Sequence, residues 1–141
     1  MTLRVELVVP EGEVWSGRAD MVIAKTLDGD IGVLTGHTPV LGILAEGSLV
    51  RIMPEGAPDA AGRGEVVAAV NGGFFSVADD RVSILAREAQ LGEEVDARAA
   101  RSALDEAVQR AEASPGGEEE PADVRYYRAL LRAAGDPADR A

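Results

Sequence analysis

The sequence predicts an α+β chain: an N-terminal antiparallel β-sandwich of about ten short strands in residues 1–90, followed by a C-terminal two-helix hairpin in residues 91–141. Three observations carry this. From Leu3 to about Arg87 short, often alternating runs of Val, Ile and Leu are separated by Gly or Pro, the signature of strands joined by tight turns. After Gly92 the composition shifts to Ala, Glu and Arg, and Val95 to Ser114 holds neither Gly nor Pro, so the period changes from two to 3.6. A second helical run is bounded by Pro121 and Gly135, residues suited to a helix start and a helix stop.

The candidate strands are Leu3 to Val9, Val14 to Ser16, Ala19 to Thr26, Asp30 to Leu34, Ile43 to Leu44, Gly47 to Met53, Gly64 to Val70, Gly73 to Ala78 and Arg81 to Ala86. Many short strands of this kind form a sandwich or barrel. Pro54 to Gly64 carries three Gly and two Pro with nothing apolar larger than Ala, and is expected to be an exposed hairpin loop.

Asp96 is placed to cap the first helix, with Glu93 and Glu94 complementing the positive end of its dipole, and Ser114 to Gly117 ends it. Its apolar face is Ala100, Leu104, Ala107, Val108 and Ala111, mostly alanine, so its docking is expected to be weak. The second helix should run about four turns and stop at Gly135, with Pro137 beyond. Its broad apolar side is Val124, Tyr127, Leu130, Leu131 and Ala134. Arg125, Arg128 and Arg132 fall within about 60° of one another as a basic stripe, suited to an acidic partner or to the chain's own acids.

Composition removes several function classes. Fourteen Lys and Arg stand against 25 Asp and Glu, a formal charge of −11, which repels nucleic acid and an anionic membrane surface alike. With no cysteine there is no disulfide, thiolate nucleophile or Cys-ligated zinc site. No stretch of 18 apolar residues spans a membrane and no secretory h-region follows the start, so membrane association is expected through partners.

Catalytic chemistry is equally thin. His37 is the single histidine, and no GxSxG, HExxH or Walker A pattern occurs, so the chain reads as a non-enzyme. Asp28 and Asp30 sit close enough to be weighed as a carboxylate pair, but aspartates beside glycine read as turn residues. A lone histidine and an incomplete DGD series give no metal site. A free-standing module for a small ligand would need an aromatic platform, and Trp15, Phe74, Phe75, Tyr126 and Tyr127 lie in three distant segments.

What stands out is the density of turn-forming residues from Gly29 to Gly47, with glycines at 29, 32, 36, 42 and 47 and Pro39. The order GDIGVLTGHTPVLGILAEGSLVRI, Gly29 to Ile52, resembles the signature of the epsilon subunit of F-type ATP synthases, in which a Gly-x-[Leu/Ile]-Gly turn leads into a Pro-Gly-His-x-Pro corner. Gly36, His37 and Pro39 match that corner, and Thr35 stands in place of the usual proline. The hairpin VNGGFFSVADDRVSILAREA, Val70 to Ala89, and the opening strands with Ser16 and Gly17 resemble the family in order and spacing.

The resemblance implies a non-catalytic rotor subunit of the central stalk, peripheral on the cytoplasmic face of the membrane. Its sandwich would join the gamma subunit to the membrane rotor ring of c subunits, and its helical hairpin would extend toward the catalytic alpha and beta subunits to restrain ATP hydrolysis. By position it places Gly36, His37 and Pro39 at the gamma contact, and Asp28, Gly29, Asp30 and Ile31 at the ring. Arg125, Arg128 and Arg132 are the regulatory candidates. Some bacterial relatives bind ATP through an [Ile/Leu]-Asp-x-x-Arg-Ala pattern. Here VDARAA matches it at Asp96 and Ala100 but has Ala99 in the arginine position, leaving Asp96, Arg98 and Arg101 as weak nucleotide candidates and no cofactor expected.

Overall fold

The computed structural model describes residues 2–56, 64–113 and 120–135. The centre of the Pro54 to Gly64 loop, the Ser114 to Gly117 stop and Pro137 lie outside the described residues. Among the described residues there are seven strands: β1 (Leu3–Val9), β2 (Gly12–Thr26), β3 (Gly29–Val33), β4 (Val40–Pro54), β5 (Val66–Ala78), β6 (Arg81–Ala86) and β7 (Ala89–Leu91). A 3-10 turn, Gly92–Glu94, leads into α1 (Ala97–Ala113) and α2 (Ala122–Ala133).

The strand count falls from about ten to seven because glycines read as breaks lie inside continuous strands, Gly17 in regular pairing and Gly47 at a bulge. Three pairs of expected short strands are single strands: β2 with 15 residues, β4 with 15 and β5 with 13. The register between β4 and β5 shifts between Glu46 and Ser48, where Gly47 takes φ +64°, and Gly72 and Gly73 opposite take φ +75° and +131°. An extra residue in one strand bends it and lets it pass from one layer to the other without ending. β7 escaped the sequence pattern because three residues are too few to show a period.

Among the described residues one pairing is parallel. β1 pairs antiparallel with β2 and parallel with β6, so β1–β6–β5–β4–β2 returns on itself, with β3 beside β2 and β7 beside β5. The expected antiparallel sandwich is present with this one parallel exception: the first strand fills the gap between the second and the sixth, covering two edges at once. Between the layers lies one core, including Leu3, Val5, Leu7, Val22, Val50, Ile52, Phe75, Val82 and Ile84.

The β5–β6 hairpin turns at Asp79 and Asp80, with φ +52° and +59°, as a two-residue turn of matching twist requires. Asp80 also reaches across the sandwich: its Oδ1 accepts the N–H of Gly36 at 2.6 Å, and its carbonyl accepts the N–H of Arg4 at 2.9 Å. The corner at Gly36 and His37 is thereby fixed by a residue 44 positions away. Asp80→Ala loses a charge-assisted hydrogen bond and puts a Cβ-bearing residue without a local acceptor in a left-handed conformation. It is expected to destabilise the fold by about 1–2 kcal/mol in urea unfolding, with Asp80→Asn nearly neutral.

Asp96 caps α1, its carboxylate accepting the N–H of Ala99 at 3.1 Å. As expected from its alanine face, α1 buries only Ala100 and Ala107. α2 follows Pro121 and ends before Gly135, which takes φ +78°. It lies between α1 and the outer surface of β4 and β5.

Because α2 has neighbours on two sides, it buries Tyr126 and Ala129 as well as the expected Val124, Leu130 and Leu131. These pack with Ala69, Leu49, Leu104 and Tyr127 in a second, smaller apolar cluster. Burial pushes the Tyr126 hydroxyl up from 10.0 to about 12, with Glu88 and Tyr127 adding to the shift. This contribution to docking is complete below pH 10 and is lost as the pH rises toward 12.

Two glycines seat α2. A Cβ on Gly92 would stand 2.0 Å from the carbonyl oxygen of Ala133, and one on Gly47 2.5 Å from the backbone of Arg125. Neither position has room for a side chain while the helix is docked.

Candidate partner-binding surface

The outer face of the sandwich carries an apolar row. Ile43 on β4 stands opposite Phe74 on β5, and Phe74 opposite Leu85 on β6. All three are about half exposed. Leu27 joins the row, its N–H donating to the carbonyl of Ile43 at 3.0 Å, and Leu41 lies two residues along β4 from Ile43; these are 68% and 73% exposed. Contiguous large apolar side chains in water mark an interaction surface, whereas scattered ones do not.

The row forms the wall of a groove of about 910 Å³ that also takes in Val8, Pro10 and Gly73. At its polar end one carboxylate joins the sandwich to the tail. Glu46 accepts Arg87 Nη2 at 2.8 Å through one oxygen and Arg125 Nη2 at 3.1 Å through the other. These side chains are half exposed, so each pair adds at most about 1 kcal/mol.

The row was not among the residues expected from sequence to touch a partner. The available signal was a large apolar residue at an outward position of VLGIL, GGFFSV and VSILA, where alternation with only one face against the core calls for a polar one.

The expected corner residues lead into this surface. Gly36 and Pro39 are exposed and His37 half-buried, and Leu41 follows Pro39 by two residues. His37 donates from Nδ1 to the carbonyl of Thr38 at 2.7 Å and from its backbone N–H to Leu34 at 3.2 Å. Asp28, Gly29 and Asp30 are exposed at the β2–β3 turn, with Ile31 half-buried. The turn is held by Thr26, whose hydroxyl donates to the carbonyl of Gly29 at 2.8 Å and accepts the N–H of Asp28 at 3.2 Å.

Asp30 stands opposite Lys25 and lines a cleft of about 450 Å³ between the sheet and α2. Arg125, Arg128 and Arg132 line the same cleft. In this docked arrangement the stripe meets the chain's own acceptors: Arg125 meets Glu46 and the carbonyl of Glu120, Arg128 the carboxylate of Glu120, and Arg132 the carbonyl of Gly47. Asp96, Arg98 and Arg101 border neither cleft, and the Asp96 carboxylate is used as a helix cap.

Among the described residues no cluster of His, Cys, Asp or Glu can hold a metal ion, and no helix is long and apolar enough to cross a membrane.

Residues 2–92 match the family described as the ATP synthase Delta/Epsilon chain, beta-sandwich domain. The ATP synthase epsilon chain of Thermobifida fusca is 53% identical over 133 residues, covering 94% of this chain and 91% of that one. That of Streptomyces griseus is 44% identical over 130 residues, covering 92% and 97%. A chain in the cryo-EM structure of the Euglena gracilis mitochondrial ATP synthase, OSCP/F1/c-ring, shares the fold with a TM-score of 0.66 at 24% identity, over 95% of this chain and 79% of that one. Sandwich, hairpin and likeness along nearly the whole length agree: the chain belongs to the family of ATP synthase epsilon chains.

Proposed function

We propose that this epsilon chain performs no reaction itself and acts as a rotor subunit on the cytoplasmic face of the membrane. Its sandwich, residues 1–90, joins the gamma subunit to the ring of c subunits. Its hairpin, residues 91–141, regulates ATP hydrolysis by reaching the alpha and beta subunits.

The exposed row Ile43–Phe74–Leu85 carries this reading, because an apolar surface built across three strands needs a permanent partner. We assign this row, continued by Leu41 and the corner of Gly36, His37 and Pro39, to gamma. The exposed turn of Asp28, Gly29, Asp30 and Ile31 is assigned to the polar loops of the ring. The docked stripe of Arg125, Arg128 and Arg132 is occupied by the chain's own acceptors, so presenting it to an acidic segment of the catalytic subunits requires the hairpin to leave the sheet. Nucleotide binding has no part in this reading.

Membranes carrying the ATP synthase without this chain are expected to lose ATP-driven proton pumping, and adding the full chain to restore it. Pumping that is unchanged by removal of the chain would overturn the reading.

A further inference from the structure

A second surface, on another part of the sandwich, breaks a rule of sheet design. Arg4 on β1 stands directly opposite Arg18 on β2 and directly opposite Arg81 on β6. Their chain neighbours Leu3, Val5, Ala19 and Val82 are buried, so the three arginines share the outward face in one row across three strands. Like charges directly opposite one another are destabilising. They stand here on a chain whose net charge is −11, where carboxylates are abundant.

Those carboxylates are engaged elsewhere. Glu6 accepts the hydroxyl of Ser83 at 3.0 Å, Glu13 that of Ser16 at 2.9 Å, and Asp80 the N–H of Gly36. Among the described residues none of the three guanidinium groups has a hydrogen-bond or salt-bridge partner. The row is bordered on one side by Glu6 and Glu13 and on the other by Asp79 and Asp80, each side forming a shallow hollow with the arginines.

The acid borders restrict what can sit there. A flat anionic surface such as a membrane would meet the four bordering acids as well as the three bases. A narrow ligand lying along the row meets only the arginines.

The spacing restricts it further. Neighbouring strands are about 4.8 Å apart, so three cations repeat at that interval. Acids at i, i+4 and i+7 on a helix repeat at about 5.2 Å, whereas same-face residues of an extended peptide repeat at about 6.8 Å. We propose that the row Arg18–Arg4–Arg81 is a docking surface for an acidic helix of a protein partner, laid across β2, β1 and β6.

The test uses the full chain and a fluorescent alanine-based helical peptide with Glu at i, i+4 and i+7, followed by anisotropy at low salt. Saturable binding is expected. It should fall at least about tenfold for the same peptide with Gln at those positions and for the chain carrying Arg4→Gln, Arg18→Gln and Arg81→Gln. Arg4→Gln alone is expected to raise the melting temperature of the free chain while weakening the peptide, a combination that a structural role for Arg4 would not give. The proposal is overturned by absence of saturable binding or by equal binding to the triple variant. It is also overturned by equally tight binding of an extended peptide with alternating Glu, of tripolyphosphate, or of phosphatidylglycerol vesicles.

Discussion

Gly92→Ala is expected to release the helical hairpin while leaving the sandwich folded. The new Cβ would stand 2.0 Å from the carbonyl oxygen of Ala133 and 3.3 Å from that of Val67, both backbone atoms that no rotamer change can move. Gly92 does not take a positive φ, so alanine suits its local conformation, and the severe clash, that with Ala133, falls on docking. Overpacking of this kind costs about 1–3 kcal/mol.

The tail has little to set against that cost. Its contact is a small cluster around Tyr126, Leu130 and Leu131, and its ion pairs are half exposed. Hydrogen exchange should show the amides of Ala122–Ala133 losing protection while those of Val66–Ala78 keep theirs. Gly32→Ala is the matched control, since its Cβ would meet nothing within 4 Å. In the assembled ATP synthase, the freed hairpin is expected to slow ATP hydrolysis. Unchanged protection of α2 would show that it does not rest against Gly92 as described.

How far the sequence foretold this arrangement can be judged from particular residues. The caps at Asp96 and Gly135 were legible because capping is local chemistry: one side-chain acceptor, or one residue free to take a left-handed conformation. Strands β1 and β6 are legible to the residue because each ends at a turn and alternates over most of its length.

Where a glycine serves a long-range purpose the local pattern misleads. Gly47 and Gly73 look like strand ends and lie inside strands, Gly47 as a bulge beneath α2 and Gly73 in close approach to the backbone of Leu85 on the neighbouring strand. Tyr126 lies outside the apolar side that the sequence predicts, and is buried because α2 has neighbours on two sides. The parallel pairing of β1 with β6 joins residues more than 70 positions apart and leaves no trace in either strand.

The candidate surface divides in the same way. The turn-rich corner announced itself through glycine and proline, but the apolar row beside it did not. Ile43, Phe74 and Leu85 become one surface only when three strands are set in register. The arginine row likewise consists of three unremarkable residues until β1 is placed between β2 and β6.

The second large effect concerns that apolar row. Phe74 and Ile43 point away from the core and are about half exposed, so an aspartate at either should cost the fold less than about 1 kcal/mol. At a buried interface the same change removes an apolar anchor and forces a carboxylate out of water. Loss of a central aromatic anchor alone costs about 2 kcal/mol or more, roughly thirtyfold in affinity, and the uncompensated charge adds to it.

The most direct measurement is therefore titration calorimetry of purified gamma subunit with the full chain and with Ile43→Asp/Phe74→Asp, each checked for an unchanged melting temperature. The account predicts a one-to-one complex with the native chain and at least about a hundredfold loss with the double variant. A native chain that does not bind gamma, or a folded double variant that binds it as tightly as the native chain, would contradict the account.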